Sequence, residues 1–163
     1  HSQCMYYLTK SLDTSRLVIS NDGWNHTISD MLTIHDYEGN KEALLKRYSS
    51  KESILQDMPA NRTLIAHGCQ YDNQPIIVSE FGGIAYKPEA IEGWGYTSTD
   101  SADEFIEAYR AVISAMLESE TVQGFVYTQL CDVEQETNGL LTYAREPKVQ
   151  LDVIRKINEG RSV

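Results

Sequence analysis

The sequence predicts an α/β protein built on a parallel sheet, and three observations lead there. Short β-branched runs alternate with amphipathic helical stretches along the chain. The runs are apolar on both faces, as strands covered by helices must be. Polar or glycine-bearing residues follow each run: Asn21-Asp22, His35-Asp36-Tyr37, Ser79-Glu80 and Gln129. In parallel α/β folds the carboxyl edge of the sheet is where chemistry collects.

The elements follow in order. Residues 2 to 12 read as a helix with Cys4, Leu8 and Leu12 on one face, broken by Asp13-Thr14-Ser15. "RLVIS" (16–20) reads as a strand closed by the turn residues Asn21-Asp22-Gly23, and "MLTIHDY" (31–37) repeats that design. Residues 41 to 56 read as one helix with Asn40 as N-cap and Leu44, Leu45, Tyr48 and Leu55 available for burial. "PIIVSE" (75–80) is the third strand. Ser101 with Glu104 three residues on is a capping box, and Phe105, Ile106, Tyr109, Val112, Ile113, Met116 and Leu117 hold one helical stripe behind it. "VQGFVYTQL" (122–130) is the fourth strand, and a last helix begins near Pro147 and stops at Gly160.

Composition narrows the function classes. With 163 residues there is material for one domain with a core. A formal net charge of -10 argues against a nucleic-acid or anionic-membrane partner. No apolar run approaches the roughly 20 residues of a membrane span, and the first residues lack the pattern of a signal peptide. A soluble protein is expected, with the cytoplasm preferred. Cys4, Cys69 and Cys131 are odd in number and widely spaced, which fits neither a disulfide framework nor a metal knuckle. The four histidines show no zinc-ligand spacing, so neither metal nor cofactor is expected.

The most informative stretch is "PIIVSEFGG" (75–83). A buried strand drives a carboxylate, Glu80, onto the rim, and Gly82 and Gly83 then leave room for a ligand or a tight reversal. Such a carboxylate can be a nucleophile, a general base, a metal ligand, or a partner in a rim salt bridge.

"IIVSEFGG" resembles the nucleophile strand of glycoside hydrolase family 2, the family of β-galactosidases, β-glucuronidases and β-mannosidases. "LDTSRLVISNDGW" (12–24) is similar to that family's fifth barrel strand, "TIHDYEG" (33–39) to its sixth, and "GFVYTQLCDVEQETNGLLTYAREPK" (124–148) to its eighth strand and the following loop. "GWGY" (93–96) resembles the loop after the nucleophile. The resemblance implies the C-terminal half of a (β/α)8 TIM barrel, strands five to eight, with residues 1–163 as a single fragment. It also implies a retaining β-glycosidase of β-galactosidase-like type, whose two glutamates lie about 5–5.5 Å apart.

Carried over residue by residue, the resemblance makes Glu80 the nucleophile and Tyr37 the hydroxyl that hydrogen-bonds it. His35, Asp36, Asn21 and Asp22 on the rim become candidate sugar contacts. Tyr127 stands where many relatives carry a tryptophan at the floor of the sugar site. Trp94 and Trp24 either stack on a sugar ring or pack the loop base. Asp132 either lines the cleft or belongs to a solvated acidic loop.

The family's acid/base glutamate follows an asparagine at the end of the fourth strand. The one Asn-Glu pair here, Asn158-Glu159, lies at the end of the last helix. A barrel needs eight strands and about 250 residues. The chain is therefore expected to lack the acid/base and to be inactive alone. Its expected partners are a β-glycoside substrate, the N-terminal half of the barrel, and further copies of itself through exposed strand edges. A non-catalytic carbohydrate-binding or assembly module derived from the same fold is the alternative.

Overall fold

A computed structural model describes residues 1–87 and 93–162. The elements are α1 (Ser2–Leu12), β1 (Leu32–Asp36), α2 (Lys41–Arg47), α3 (Lys51–Gln56), a 3-10 turn (Pro59–Asn61), β2 (Ile76–Gly82), β3 (Ile84–Tyr86), β4 (Thr97–Thr99), α4 (Ala102–Glu118), β5 (Val122–Thr128) and α5 (Leu151–Asn158). β1, β2 and β5 form a parallel sheet with β2 in the centre. β3 and β4 pair in parallel as a separate two-stranded ribbon, which the sequence reading did not anticipate.

One face of the sheet is the core. Leu32 and Ile34 of β1 and Ile76, Val78 and Phe81 of β2 are buried against Leu44 and Tyr48 from the α2 region. Phe105, Tyr109, Val112, Ile113 and Met116 of α4 and Ile154 and Ile157 of α5 complete it. The helices form for local reasons. Ser101 accepts a hydrogen bond from the Glu104 N–H at 3.2 Å, and Glu104 reaches back to the Asp100 N–H at 2.8 Å, closing the start of α4. Asn40 caps α2 through the Ala43 N–H. The opposite face is covered over β1, where Gly23 and His26 bond Thr33, and is open over β5, where Val126 is 57% exposed.

A bulge in β2 decides what the open face carries. Thr33 and His35 of β1 pair with Ile77 and Glu80, while Phe125 and Tyr127 of β5 pair with Val78 and Phe81. β2 thus spends one residue more than either neighbour over this stretch. Val78 and Phe81, three apart, both face the core, so Ser79 and Glu80 both turn to the open face.

Four expectations need correction. Residues 16–20 are not a strand: the Val18 and Ser20 N–H groups are taken by the side chains of Asp30 and Ser29, which replace a ladder. The helix expected over 41–56 divides into α2 and α3, because Ser50 caps a new start through the Ser53 N–H. The last helix begins at Leu151 rather than near Pro147, since residue 148 is still bonded to the loop through its N–H to the Leu140 carbonyl. In α1, Cys4, Leu8 and Leu12 are all exposed and no residue is buried; the helix is held through Asp30 instead.

Candidate active site

Glu80 stands at the carboxyl edge of the central strand. The Tyr37 hydroxyl, just past the end of β1, donates to Glu80 Oε2 at 2.5 Å. Burial and then this bond push the Tyr37 hydroxyl far above its ordinary pKa, so Tyr37 remains a donor. His35 Nδ1 lies 3.2 Å from the same Oε2, and its other nitrogen, Nε2, lies 3.0 Å from Asp22 Oδ2. Asp22 Oδ1 accepts the Ser79 hydroxyl at 2.7 Å. Burial alone raises the Asp22 carboxyl, but hydrogen bonds from Thr33, His35 and Ser79 outweigh it and hold the group below the usual carboxylate range.

Glycines make this packing possible. Gly23 has φ +85°, and a Cβ there would lie 2.5 Å from the His35 ring. Gly83 has φ +61°, and a Cβ there would lie 2.4 Å from Tyr96 and 2.8 Å from Tyr37. Tyr96 stacks on Tyr37 at 3.5 Å between ring centroids, and Trp94 meets Tyr96 edge-on at 5.7 Å. Backbone hydrogen bonds from Trp94 to Gln135 and from Tyr96 to Gly83 anchor this loop, yet both rings remain half exposed. The result is an aromatic shelf leading outward from Glu80.

The expected site residues therefore divide. Glu80, Tyr37, His35 and Asp22 come together, with Trp94 at the outer end of the shelf. Asp36 does not join them. Strand alternation turns it to the helix side, where it is buried, paired with Arg47 at 2.5 Å and hydrogen-bonded by Tyr48 at 2.8 Å. Tyr127 also faces away from Glu80: it packs edge-on against Phe81 and Tyr109 under Gly82, and Val126 takes the open face in its place. Asp132 is spent on the buried Lys148 ammonium at 2.7 Å and on the Gly139 N–H, holding the loop after β5. Asn21 is exposed and donates to the Trp24 carbonyl, shaping its own turn. Trp24 packs edge-on against the His35 ring at 4.9 Å, and the Arg62 guanidinium lies over the Trp24 ring at 4.7 Å.

Sequence reasoning missed Ser79 and Tyr96 as site residues. Ser79 was read only as a polar residue at the strand end, because the bulge that turns it to the same face as Glu80 is not visible in the sequence. Tyr96 was visible in "GWGY", but only its stacking on Tyr37 gives it a place. Among the described residues, Asp22, His35 and Glu80 are the one group whose donor atoms lie close enough to share an ion, within 4.8 Å of one another. The two imidazole nitrogens point to opposite carboxylates, so hydrogen bonding already accounts for the cluster.

This arrangement defines a class: a parallel-sheet α/β chain with a carboxylate oriented by a tyrosine at the strand carboxyl edge. Comparison with solved structures makes the likeness more particular. A glycoside hydrolase family 2 β-galacturonidase from Eisenbergiella tayi matches over 99% of this chain with a TM-score of 0.63 and 17% identity. A β-glucuronidase from Faecalibacterium prausnitzii matches over 96% with a TM-score of 0.60 and 18% identity. An agarase matches over 81% with a TM-score of 0.55 and 12% identity. The chain spans about 30% of the β-galacturonidase and 28% of the β-glucuronidase. No protein-family profile and no curated protein matches the sequence. The chain thus carries the fold of one segment of these enzymes, a family 2 β-galacturonidase among them.

Proposed function

We propose that this chain is the C-terminal half of the (β/α)8 catalytic domain of a retaining β-glycosidase similar to glycoside hydrolase family 2, and that Glu80 is its nucleophile. The observation that carries this reading is the 2.5 Å bond from Tyr37 to Glu80 at the carboxyl edge of the sheet. A nucleophilic carboxylate must be aimed at the anomeric carbon, and a hydroxyl donor on one oxygen fixes the carboxyl plane and leaves the other oxygen free to attack. On this reading residues 16–20 stand where the fifth barrel strand runs. The acid/base glutamate and the first four strands belong to polypeptide outside residues 1–163.

The open face of the sheet, with Val126 exposed, is then the barrel-facing side. It is completed by that other half, or in its absence by a further copy of the chain. The Trp94–Tyr96 shelf supplies an apolar surface for a sugar ring. The substrate is a β-glycoside, with a β-galactoside as the first expectation. The β-galacturonidase and β-glucuronidase likenesses make uronides the natural competitors in a substrate panel.

The test is mechanism-based labelling of the complete protein with 2-fluoro glycosides. Label on Glu80, together with loss of turnover in Glu80→Gln, supports the reading; label on any other residue overturns it. The 163-residue chain assayed alone should fall below the complete protein by at least the roughly 10²–10⁴-fold that a missing general acid removes. Sugar binding unaffected by Glu80→Gln, with no turnover in the complete protein, would favour the binding-module alternative.

A further inference from the structure

His35 is caught between two acids. Its Nε2 lies 3.0 Å from Asp22 Oδ2 and its Nδ1 lies 3.2 Å from Glu80 Oε2. The ring is 12% exposed, with Trp24 against it on one side and the close approach of Gly23 on another. It cannot turn without breaking one of the two contacts. An Nε2 lacking hydrogen would point a lone pair at a lone pair of the Asp22 carboxylate, which is repulsive. Asp22 is kept ionised by its hydrogen bonds and so requires a hydrogen on Nε2. That leaves Nδ1 to meet Glu80. Asp22 reaches the same carboxylate a second way, because its Oδ1 holds the hydroxyl of Ser79, the residue that precedes Glu80 on the bulge.

We propose that Asp22 is a positioning residue rather than a sugar contact. It holds the Nε2–H of His35 and so directs Nδ1 at Glu80 Oε2. This concerns the site described above and rests on that reading for the task of Glu80. With Tyr37 donating to Oε2 and His35 Nδ1 seated against the same atom, Oε1 is the oxygen left to act. The charged and titratable groups around His35 are Asp22 and Glu80 in contact, with Tyr37 on Glu80 and His26 and Arg62 beyond them. The relay depends on Gly23 as well, since any side chain there would displace the ring.

The experiment is long-range 1H–15N NMR of the 163-residue chain labelled at its histidines, with His35 assigned through His35→Gln. The expected spectrum shows a fixed hydrogen on Nε2 of His35. In Asp22→Ala the His35 signals move to those of a freely exchanging imidazole, while the amide spectrum shows the chain still folded. In Glu80→Gln the Nε2–H signal persists, because Asp22 still holds it. If Asp22→Ala does not fold, the isosteric Asp22→Asn repeats the measurement, with a smaller shift in the same direction expected. A bare Nε2 in the unsubstituted chain, or a His35 pattern unmoved by loss of the Asp22 charge, overturns the proposal. Labelling of Glu80 by a fluoroglycoside does not enter these spectra, so either reading can fail without the other.

Discussion

Replacing Gly82 with alanine puts the end of β2 under a stress whose size can be worked from the structure. Gly82 has φ +86°, and a Cβ there would lie 2.3 Å from Cε2 and 2.6 Å from Cδ2 of Tyr127. The Tyr127 ring cannot swing aside, because Phe81 and Tyr109 meet it edge-on at 5.9 and 4.9 Å. The left-handed backbone costs an alanine about 1–2 kcal/mol. Forcing a methyl group into a packed core costs about 1–3 kcal/mol more. The sum, about 2–5 kcal/mol, is a large part of the roughly 5–15 kcal/mol available to a domain. At a urea dependence of about 2 kcal/mol per molar, the unfolding midpoint should fall by about 1–2.5 M.

Gly83→Ala is the control. It adds a comparable backbone strain at φ +61°, but its nearest neighbour, Tyr96, is half exposed and can move outward. It should shift the midpoint by about half as much while disturbing the Tyr37–Tyr96 stack beside Glu80. A Gly82→Ala midpoint within about 0.3 M of the parent would refute the claim that Tyr127 is wedged under this glycine.

Two other outcomes follow from charge placement. Arg47 bonds the buried carboxylate of Asp36 and also Asp57, each at 2.5 Å. Arg47→Met strands Asp36 without its cation and should lower stability by about 3–5 kcal/mol in urea denaturation. Adding Asp36→Asn should restore much of the loss, and a cost under about 1 kcal/mol for Arg47→Met would contradict the pairing. For Asp30, burial pushes the carboxyl up, but Lys10, Tyr6 and the Val18 N–H outweigh it and hold it below its ordinary range. A depressed folded value means that its contribution is complete above the unfolded value of about 3.9 and is lost as pH falls through the lower folded value. Since α1 buries no residue and is tied down at Asp30, amide protection in residues 2–12, corrected for intrinsic exchange, should fall below about pH 4 before that of α4. Asp30→Asn should produce the same loss at neutral pH, and unchanged protection of α1 would reject this anchor.

Much of the architecture was legible because local signals and burial agree. The capping box at Ser101, the stripe behind it and the apolar runs of β1, β2 and β5 all appear where periodicity put them. Residues 16–20 misled because β-branched composition marks an extended segment without saying what pairs with its N–H groups. Side chains of Ser29 and Asp30, rather than a neighbouring strand, take them. The ribbon of β3 and β4 was not legible, since strands of three residues carry too little pattern.

The chain by itself determined that a hydrophobic strand delivers Glu80 to the sheet's carboxyl edge, that Tyr37 follows the neighbouring strand, and that two glycines come next. Which side chains share a face was decided only by tertiary structure. One extra residue in β2 shifts its register against both neighbours, and register is a relation between strands that neither strand contains alone. That shift brings Ser79 and Glu80 together on the open face beside His35 and Asp22. Alternation in the flanking strands sends Asp36 and Tyr127 into the helix layer, where a cation and an aromatic cluster can receive them.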